Sequence, residues 1–142
     1  MTGAHAADVS TLDSILRAMY EVISGPAGAP RDWDRLRNLY LPDARLMPVT
    51  APPGERPRVR VLTPEDYIRR VEPIFEKEDF WEVETKRQVE TFGNIAHVLS
   101  SYESRRSANG PADKLGSNSV QLFNDGSRWW IVSVMWNTTR PE

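Results

Sequence analysis

The sequence has 142 residues, with 18 Lys and Arg against 20 Asp and Glu, so its formal net charge is −2. A chain of this size is expected to form one globular domain, because folding buries roughly 68–70% of the unfolded surface. The near-neutral charge gives no basic footprint for nucleic acid or an acidic membrane, and the absence of cysteine excludes disulfides and thiolate metal sites. With only His5 and His97 as imidazole ligands, we expect no metal and no cofactor. Neither a signal-peptide pattern nor a stretch of about 20 apolar residues is present, so we expect a cytoplasmic protein.

The first predicted helix lies near the N-terminus. Apolar residues recur at helical spacing over residues 9–23. Ser10 with Asp13 three residues later resembles a capping pair. The Gly-Pro pair at residues 25–26 is expected to end this helix, because neither residue continues a helix well.

Two further helices are predicted before the middle of the chain. The second begins after Asp32 as its N-cap and ends before Pro42. The third begins at residues 63–66, where a Thr cap precedes a Pro and two acids. Pro73 lacks the amide proton of a helical residue, so we expect a kink or an early end there.

From residue 80 onward the hydrophobic pattern changes to a period of two, which predicts strands. Gly93-Asn94 and Asp125-Gly126 are pairs suited to two-residue hairpin turns. Three helices followed by an antiparallel meander predict an α+β layout. The predicted strands are residues 45–49, 58–62, 80–92, 95–106, 114–124 and 128–137.

The turns predict which residues share a face of the sheet. In the first hairpin, pairing Phe92 with Ile95 places Arg87 and Tyr102 on one face and His97 on the other. We assign the face of Arg87 and Tyr102 to a pocket. His97 then lies on the opposite face, beside a glutamate of the neighbouring strand.

The second hairpin and its last strand predict both the pocket and an interface. Pairing Asn124 with Ser127 places Asn118 opposite Ser133. The last strand is apolar on both faces, so both should be covered, one by the helices and the other by a second copy of the chain. We therefore expect a homodimer, with an interface formed by Trp130, Val132, Val134 and Trp136.

The order of these elements resembles the nuclear transport factor 2-like superfamily, in its ketosteroid isomerase-like and polyketide cyclase-like branch. Residues 40–46 are similar to the family's strand after the second helix, residues 92–98 to its central hairpin and residues 126–136 to its last strand. The likeness spans residues 10–137. It implies three N-terminal helices packed on a curved, mainly antiparallel sheet that forms a conical barrel around an internal cavity. Dimers are common among proteins of this family.

The resemblance also implies domain boundaries. One cone-shaped α+β domain is expected over residues 10–138. A flexible N-terminus is expected at residues 1–9 and a tail at residues 139–142.

Carried over residue by residue, the resemblance gives no complete catalytic set. The place of the general base in ketosteroid isomerases falls on Met47 or Pro48, neither of which accepts a proton. The last-strand histidines of dehydratase-like members correspond to Ser133 and Met135. The family hosts many enzymes and many binders, so the fold alone does not decide the function.

Three residues are the catalytic candidates that remain. Tyr20 or Tyr102 could donate to a developing oxyanion, although a tyrosine satisfied by a neighbouring group is the alternative. His97 with Glu90 opposite could act as a base, although a cross-strand structural pair is the alternative.

A ligand-binding set follows from the predicted faces. Arg87 could hold a ligand carboxylate, or it could pair with a carboxylate of the protein. The candidate ligand-binding residues are Tyr20, Trp33, Tyr67, Phe75, Arg87, Tyr102, Asn118, Trp129, Ser133 and Met135.

Two hypotheses of function remain open. The first is a small-molecule-binding protein with an apolar cone-shaped pocket, which includes an isomerase, dehydratase or cyclase acting on a small apolar or carboxylate-bearing ligand. The alternative is a non-catalytic dimeric adaptor that associates through its Trp-rich sheet face.

Overall fold

The computed structural model describes residues 5–139, in which three α-helices pack on one face of a six-stranded sheet. The α+β class is therefore confirmed. A short 3-10 helix at Ala7–Val9 precedes the first α-helix. The helices are α1 (Leu12–Glu21), α2 (Trp33–Leu39) and α3 (Pro64–Lys77), and the strands are β1 (Tyr40–Thr50), β2 (Arg58–Val59), β3 (Trp81–Phe92), β4 (Ile95–Arg105), β5 (Ala112–Asn124) and β6 (Trp129–Thr139).

The cap of α1 lies one residue later than predicted. Thr11 is the N-cap, and its hydroxyl accepts a hydrogen bond from the Ser14 amide while the Ser14 hydroxyl accepts one from the Thr11 amide. The predicted capping pair of Ser10 and Asp13 is wrong, because Ser10 still belongs to the preceding 3-10 turn and its hydroxyl donates to the Ala7 carbonyl.

The starts of α2 and α3 are confirmed. Asp32 caps α2 by accepting the Arg35 amide at 3.0 Å, and Thr63 caps α3 in a reciprocal pair with Asp66. The early end expected at Pro73 is wrong, because α3 continues past it to Lys77.

Asp8 and Val9, which precede α1, contact the helices. Val9 is only 1% exposed and belongs to the hydrophobic core. Asp8 accepts hydrogen bonds from Arg35 of α2 at 2.8 and 3.0 Å. An apolar side chain and an ion pair thus fix this segment against the helices.

The strand order in the sheet is β2-β1-β6-β5-β4-β3. The β1–β6 pair is parallel and every other pair is antiparallel, so the sheet is mainly antiparallel as predicted. Within residues 5–139 the edge strands β2 and β3 do not pair with each other, so the sheet is not closed into a barrel.

The register of the β3–β4 hairpin is confirmed near its turn and shifts farther along. Phe92 pairs with Ile95 and Arg87 with Ser100, as predicted. An irregularity at Thr85 then leaves that residue without a partner in the ladder. All residues of β3 before Thr85 consequently face the side opposite to the one that alternation predicts.

The register predicted for the β5–β6 hairpin is wrong. Asn124 pairs with Trp129 instead of Ser127, because Asp125 accepts backbone amides from Ser127 and Arg128 and closes a four-residue turn. A second irregularity lies in β6, where Leu122 pairs with Ile131 but Gln121 pairs with Ser133. Val132 is therefore unpaired, and the register shifts by one further residue.

Only the second of these shifts exchanges the faces of β6 beyond Ile131, because the first moves the register by two residues and keeps every face. Asn118 pairs with Trp136, not with Ser133. Val134 and Trp136 therefore face the helices, whereas Ser133 and Met135 face outward.

The core lies between the helices and the inner face of the sheet. It combines the buried faces of the helices with alternate residues of the strands. In the described part of the chain, no helix is long and apolar enough to cross a membrane. The fully buried large side chains of the core include Ile15, Leu16, Leu36, Leu39, Leu122 and Ile131.

Candidate functional site

A cavity of about 420 Å³ lies between the helices and the inner face of the sheet. Its wall combines aromatic side chains from α1, α3, β1 and β4 with one carboxyl group from β3. The volume is within the range of small-molecule sites. The predicted pocket residues on its wall are Tyr20, Tyr67, Phe75, Tyr102 and Asn118.

The other predicted pocket residues lie elsewhere. Trp33 stacks on Phe75 with ring centroids 6.3 Å apart, and its indole N–H donates to Glu72. Trp129 packs against the core outside the cavity wall. Ser133 and Met135 lie on the outer face because of the register shift in β6.

Arg87 shares the inner face of the sheet but is bound by carboxylates of the protein. Its Nη2 donates to Glu84 at 2.7 Å and its Nη1 to Asp13 at 3.2 Å. Arg87 is not among the residues that line the cavity. Of the two alternatives for Arg87, the structure therefore matches the one in which it pairs with carboxylates of the protein.

Tyr20 is the centre of a buried polar network. Its hydroxyl lies 2.6 Å from the Ser100 Oγ and accepts a hydrogen bond from the Asn118 amide at 3.0 Å. Ser100 donates to the Glu84 carboxylate, so its oxygen is free to accept the proton of Tyr20. The phenolic proton of Tyr20 is thus held toward Ser100, and the network ties α1 to three strands.

Glu82 is a cavity-lining carboxyl that the sequence interpretation missed. Strict alternation places it on the outer face opposite Arg105, but the irregularity at Thr85 moves it to the inner face opposite Ser104. There it lines the cavity. No regular pattern in the sequence marks Thr85 as the irregular position, so this inward carboxyl could not be found by alternation.

The carboxyl of Glu82 has no neutralising partner. Among residues 5–139 no side chain forms a hydrogen bond or ion pair with it, although its backbone amide donates to Ser24. Burial raises the pKa of Glu82 to about 8. Because the residue is half-buried and lines the cavity, a ligand can reach this carboxyl.

Four tyrosines stand close enough to Glu82 for its charge to act on them. Burial raises the pKa of each hydroxyl, and the nearby Glu82 charge raises it further. All four hydroxyls therefore stay protonated at neutral pH and can act as hydrogen-bond donors. These residues are Tyr20, Tyr40, Tyr67 and Tyr102.

The catalytic candidate His97 lies away from the cavity. It is on the outer face, where its Nε2 is 3.0 Å from the Ser119 hydroxyl and its Nδ1 is 3.6 Å from Glu90. The cross-strand alternative matches this arrangement. Within the described residues, no group of three or more His, Asp or Glu side chains is arranged to hold a metal ion.

The predicted interface residues divide between the two faces. Val134 is buried in the core, and Trp136 lines the cavity with its ring edge-on to Tyr67 at 5.9 Å between centroids. Trp130 remains on the outer side, where its indole N–H donates to Asp125. Val132 is the residue of β6 that the ladder leaves unpaired.

Comparisons with known proteins support the fold and leave the activity open. No family model and no curated protein matches the chain. Among solved structures, a protein provisionally assigned as a dehydratase of the nuclear transport factor 2-like family from Streptomyces avermitilis is 21% identical, with a TM-score of 0.64 over 94% of this chain and 97% of that one.

Two further structures have the same architecture. A nuclear transport factor 2-like protein of unknown function from Silicibacter pomeroyi is 16% identical, with a TM-score of 0.59 over 98% of this chain and 100% of that one. A protein provisionally assigned as a ketosteroid isomerase from Parabacteroides distasonis is 14% identical, with a TM-score of 0.58 over 91% of this chain and 88% of that one. The chain therefore has the nuclear transport factor 2-like fold.

Proposed function

We propose that this protein is an enzyme of the isomerase, dehydratase or cyclase type, which binds a small and largely apolar molecule in the cavity and moves a proton through Glu82. The observation that carries the proposal is the cavity-facing carboxyl of Glu82, which has no partner among the described side chains. Perturbed titratable groups in clefts are typical of catalytic sites. The dehydratase and isomerase assignments of two proteins with the same fold agree with this class of reaction.

The pKa of Glu82 suits proton transfer in both directions. A group that titrates near the working pH is populated both as an acid and as a base. With a pKa of about 8, Glu82 is mainly protonated at neutral pH and has a substantial ionised fraction. One carboxyl of this kind can remove a proton from a bound carbon acid and return it to a neighbouring atom.

The tyrosine hydroxyls supply the complementary interaction. Among the described residues, the hydroxyls of Tyr40, Tyr67 and Tyr102 form no hydrogen bond, and all three residues line the cavity. They can donate to negative charge that develops on a substrate oxygen when its neighbouring C–H bond is broken. Tyr20 is a weaker donor to a ligand because its proton is directed to Ser100.

Hydrogen exchange into carbon acids tests this proposal without knowledge of the natural substrate. A panel of small cyclic and aryl ketones is incubated with the protein in D2O, and deuterium incorporation next to the carbonyl is followed by NMR. We expect the wild type to catalyse the exchange and Glu82→Gln to slow it by about 100-fold or more. The control Glu90→Gln, on the outer face, should keep the wild-type rate.

Two results would contradict the proposal. Exchange at the same rate in Glu82→Gln and the wild type would show that the Glu82 carboxyl does not transfer the proton. If thermal shift detects no binding of any member of the panel, the proposal that the cavity binds such a ligand is contradicted.

A dimeric adaptor is the second candidate function, and the outer face of the sheet favours it. Leu99, Phe123 and Met135 are 37–41% exposed on β4, β5 and β6. Exposed apolar groups on adjacent strands form a patch of the kind used in association. This candidate and the enzyme are compatible, because the cavity and the patch lie on opposite faces of the sheet.

A further inference from the structure

The solvent-exposed part of the cavity lining includes residues of α3 and of the paired ends of β4 and β5. The inner wall of the cavity is aromatic, but the lining residues that are solvent-exposed include several charged side chains. These exposed lining residues form the rim, which is the part of the site that a ligand passes first. The charged rim residues are Arg70, Glu78, Arg106 and Lys114, together with the half-buried Asp113 beside Arg106.

Only two of these rim charges lack a partner. Arg106 donates to Glu78 at 2.9 Å and lies 3.4 Å from Asp113, so these three charges form one paired group whose net charge is −1. Arg70 and Lys114 form no ion pair with any residue in the described range 5–139. The rim, with three cations and two carboxylates, therefore has a net charge of +1 and presents two unpaired cations, in a chain whose net charge is −2.

Both cations belong to elements that form the cavity wall. Arg70 lies three residues after Tyr67 and four before Ile74, so all three residues share one face of α3. Burial raises the pKa of Tyr67, and Arg70 is near enough for its charge to oppose part of that shift. Lys114 pairs across the sheet with Ser104, which in turn pairs with Glu82.

The rim suits an anion better than the interior does. An anion beside Glu82 would be repelled once that carboxyl ionises, near pH 8 and above, and it would lose most of its hydration, whereas the exposed rim leaves it in contact with water. The backbones of Glu82 and Lys114 are two strands apart, which corresponds to roughly 10 Å. A ligand can therefore place an apolar end at Glu82 and an anionic end at the rim only if those ends are several bonds apart.

We propose that the natural ligand is an amphipathic acid, with an apolar body that enters the cavity first and an anionic group that remains at the rim between Arg70 and Lys114. This inference rests on the proposed small-molecule function and adds the ligand's charge and its orientation. It also assigns the binding of a ligand carboxylate to Arg70 and Lys114 instead of Arg87, because Arg87 is already bound by Glu84 and Asp13.

Three probes of equal chain length test the inference. Octanoate, octanamide and 1-octanol differ only in the polar end, and their affinities are measured by titration calorimetry at pH 7 and low salt. The variants are Arg70→Gln, Lys114→Gln and the double substitution. Arg69→Gln is the matched control, because Arg69 is on the same helix but pairs with Asp66 and does not line the cavity.

We expect the wild type and Arg69→Gln to bind octanoate about tenfold or more tightly than octanamide. That preference should fall with each single substitution and be nearly absent in the double variant, while the affinity for octanamide stays the same. In the complex, NMR contacts to tyrosine rings should come from the terminal methyl group of octanoate and not from the methylene next to its carboxylate.

The contrary results separate the two proposals. If octanamide and octanol bind and octanoate has no advantage, or if its carboxylate end contacts the tyrosines, the inference on charge and orientation is overturned while the cavity remains a ligand site. If none of the three probes binds while the ketones of the exchange assay do, this inference fails and the proposed function stands, whereas if neither set binds, both fail.

Discussion

Glu82 couples the stability of the fold to pH. In the unfolded chain its carboxyl ionises near its ordinary value of 4.5, whereas burial raises the pKa to about 8 in the folded protein. Between these two pH values only the folded state holds the proton. The contribution of Glu82 to the free energy of unfolding is therefore greatest below pH 4.5, falls as the pH rises to 8 and is constant above that.

The substitution Glu82→Gln should remove this dependence, because glutamine is close in shape and carries no charge at either pH. Between pH 5 and 9 the wild type should lose on the order of 3 kcal/mol relative to the variant, since each pKa unit corresponds to about 1.4 kcal/mol and cavity water reduces the full effect. Urea denaturation across this pH range measures the difference.

Glu76→Gln serves as the control for the pH experiment, because Glu76 is exposed on α3. It should keep the pH profile of the wild type. A wild-type profile that runs parallel to that of Glu82→Gln would show that the Glu82 carboxyl is ionised normally in the folded state.

At the scale of elements, β5 approaches the cavity wall more closely than a side chain would allow. A Cβ atom on Gly116 would lie 2.5 Å from the ring of Tyr102, well inside any permitted contact. Tyr102 is only 4% exposed, and its ring packs at 5.9 Å from that of Tyr20. Glycine at this position therefore makes room for the Tyr102 ring in the wall.

Gly116→Ala should consequently displace the Tyr102 ring toward the cavity. We expect a loss of about 1–3 kcal/mol in the free energy of unfolding, as for other overpacked sites, together with weaker binding of the octyl probes. A double-mutant cycle with Tyr102→Leu, which removes the ring, checks the cause. The two substitutions should be much less than additive, and simple additivity would exclude this contact as the origin.

Helices and strands were largely predictable because their signals are local. Caps such as Asp32 and Thr63 act within one turn, and the period of two is visible along each strand. Of the two outcomes expected at Pro73, the early end is wrong, because the helix tolerates proline in this exposed position of α3 and continues to Lys77.

The candidate site was only partly predictable, because its faces depend on two irregularities in the sheet. Register near a turn follows from the turn residues, so Arg87 was placed correctly on the inner face. One unpaired residue, Thr85 in β3 or Val132 in β6, then reverses every later face. This is why Glu82 was assigned to the outside and Met135 to the pocket.

At the scale of the whole molecule, the outer face of the sheet has the composition of an association surface. Its apolar groups on β4, β5 and β6 surround small uncharged side chains, including Ser101 and Ser117, which hydrogen-bond to each other at 2.9 Å. Charged groups are depleted from interface cores, and small residues let a second sheet approach closely. A second copy of the chain offers the same surface, and an isologous contact closes after two copies.

We therefore propose that the protein is a homodimer through this face, centred on Met135 and its neighbours rather than on the predicted Trp136, which lines the cavity. Sedimentation equilibrium at micromolar concentration should give twice the chain mass of 16.2 kDa.

Met135→Glu should shift the protein to the monomer, because a stable interface would bury this 41% exposed side chain and a buried unpaired charge is strongly unfavourable. Val89→Glu is the matched control, since Val89 is 45% exposed and lies on the inner face of the sheet, where it pairs with Val98. A wild-type monomer, or a dimer that Met135→Glu leaves intact, would exclude this interface, whereas selective loss of the dimer in Met135→Glu would place the contact on the face opposite the cavity.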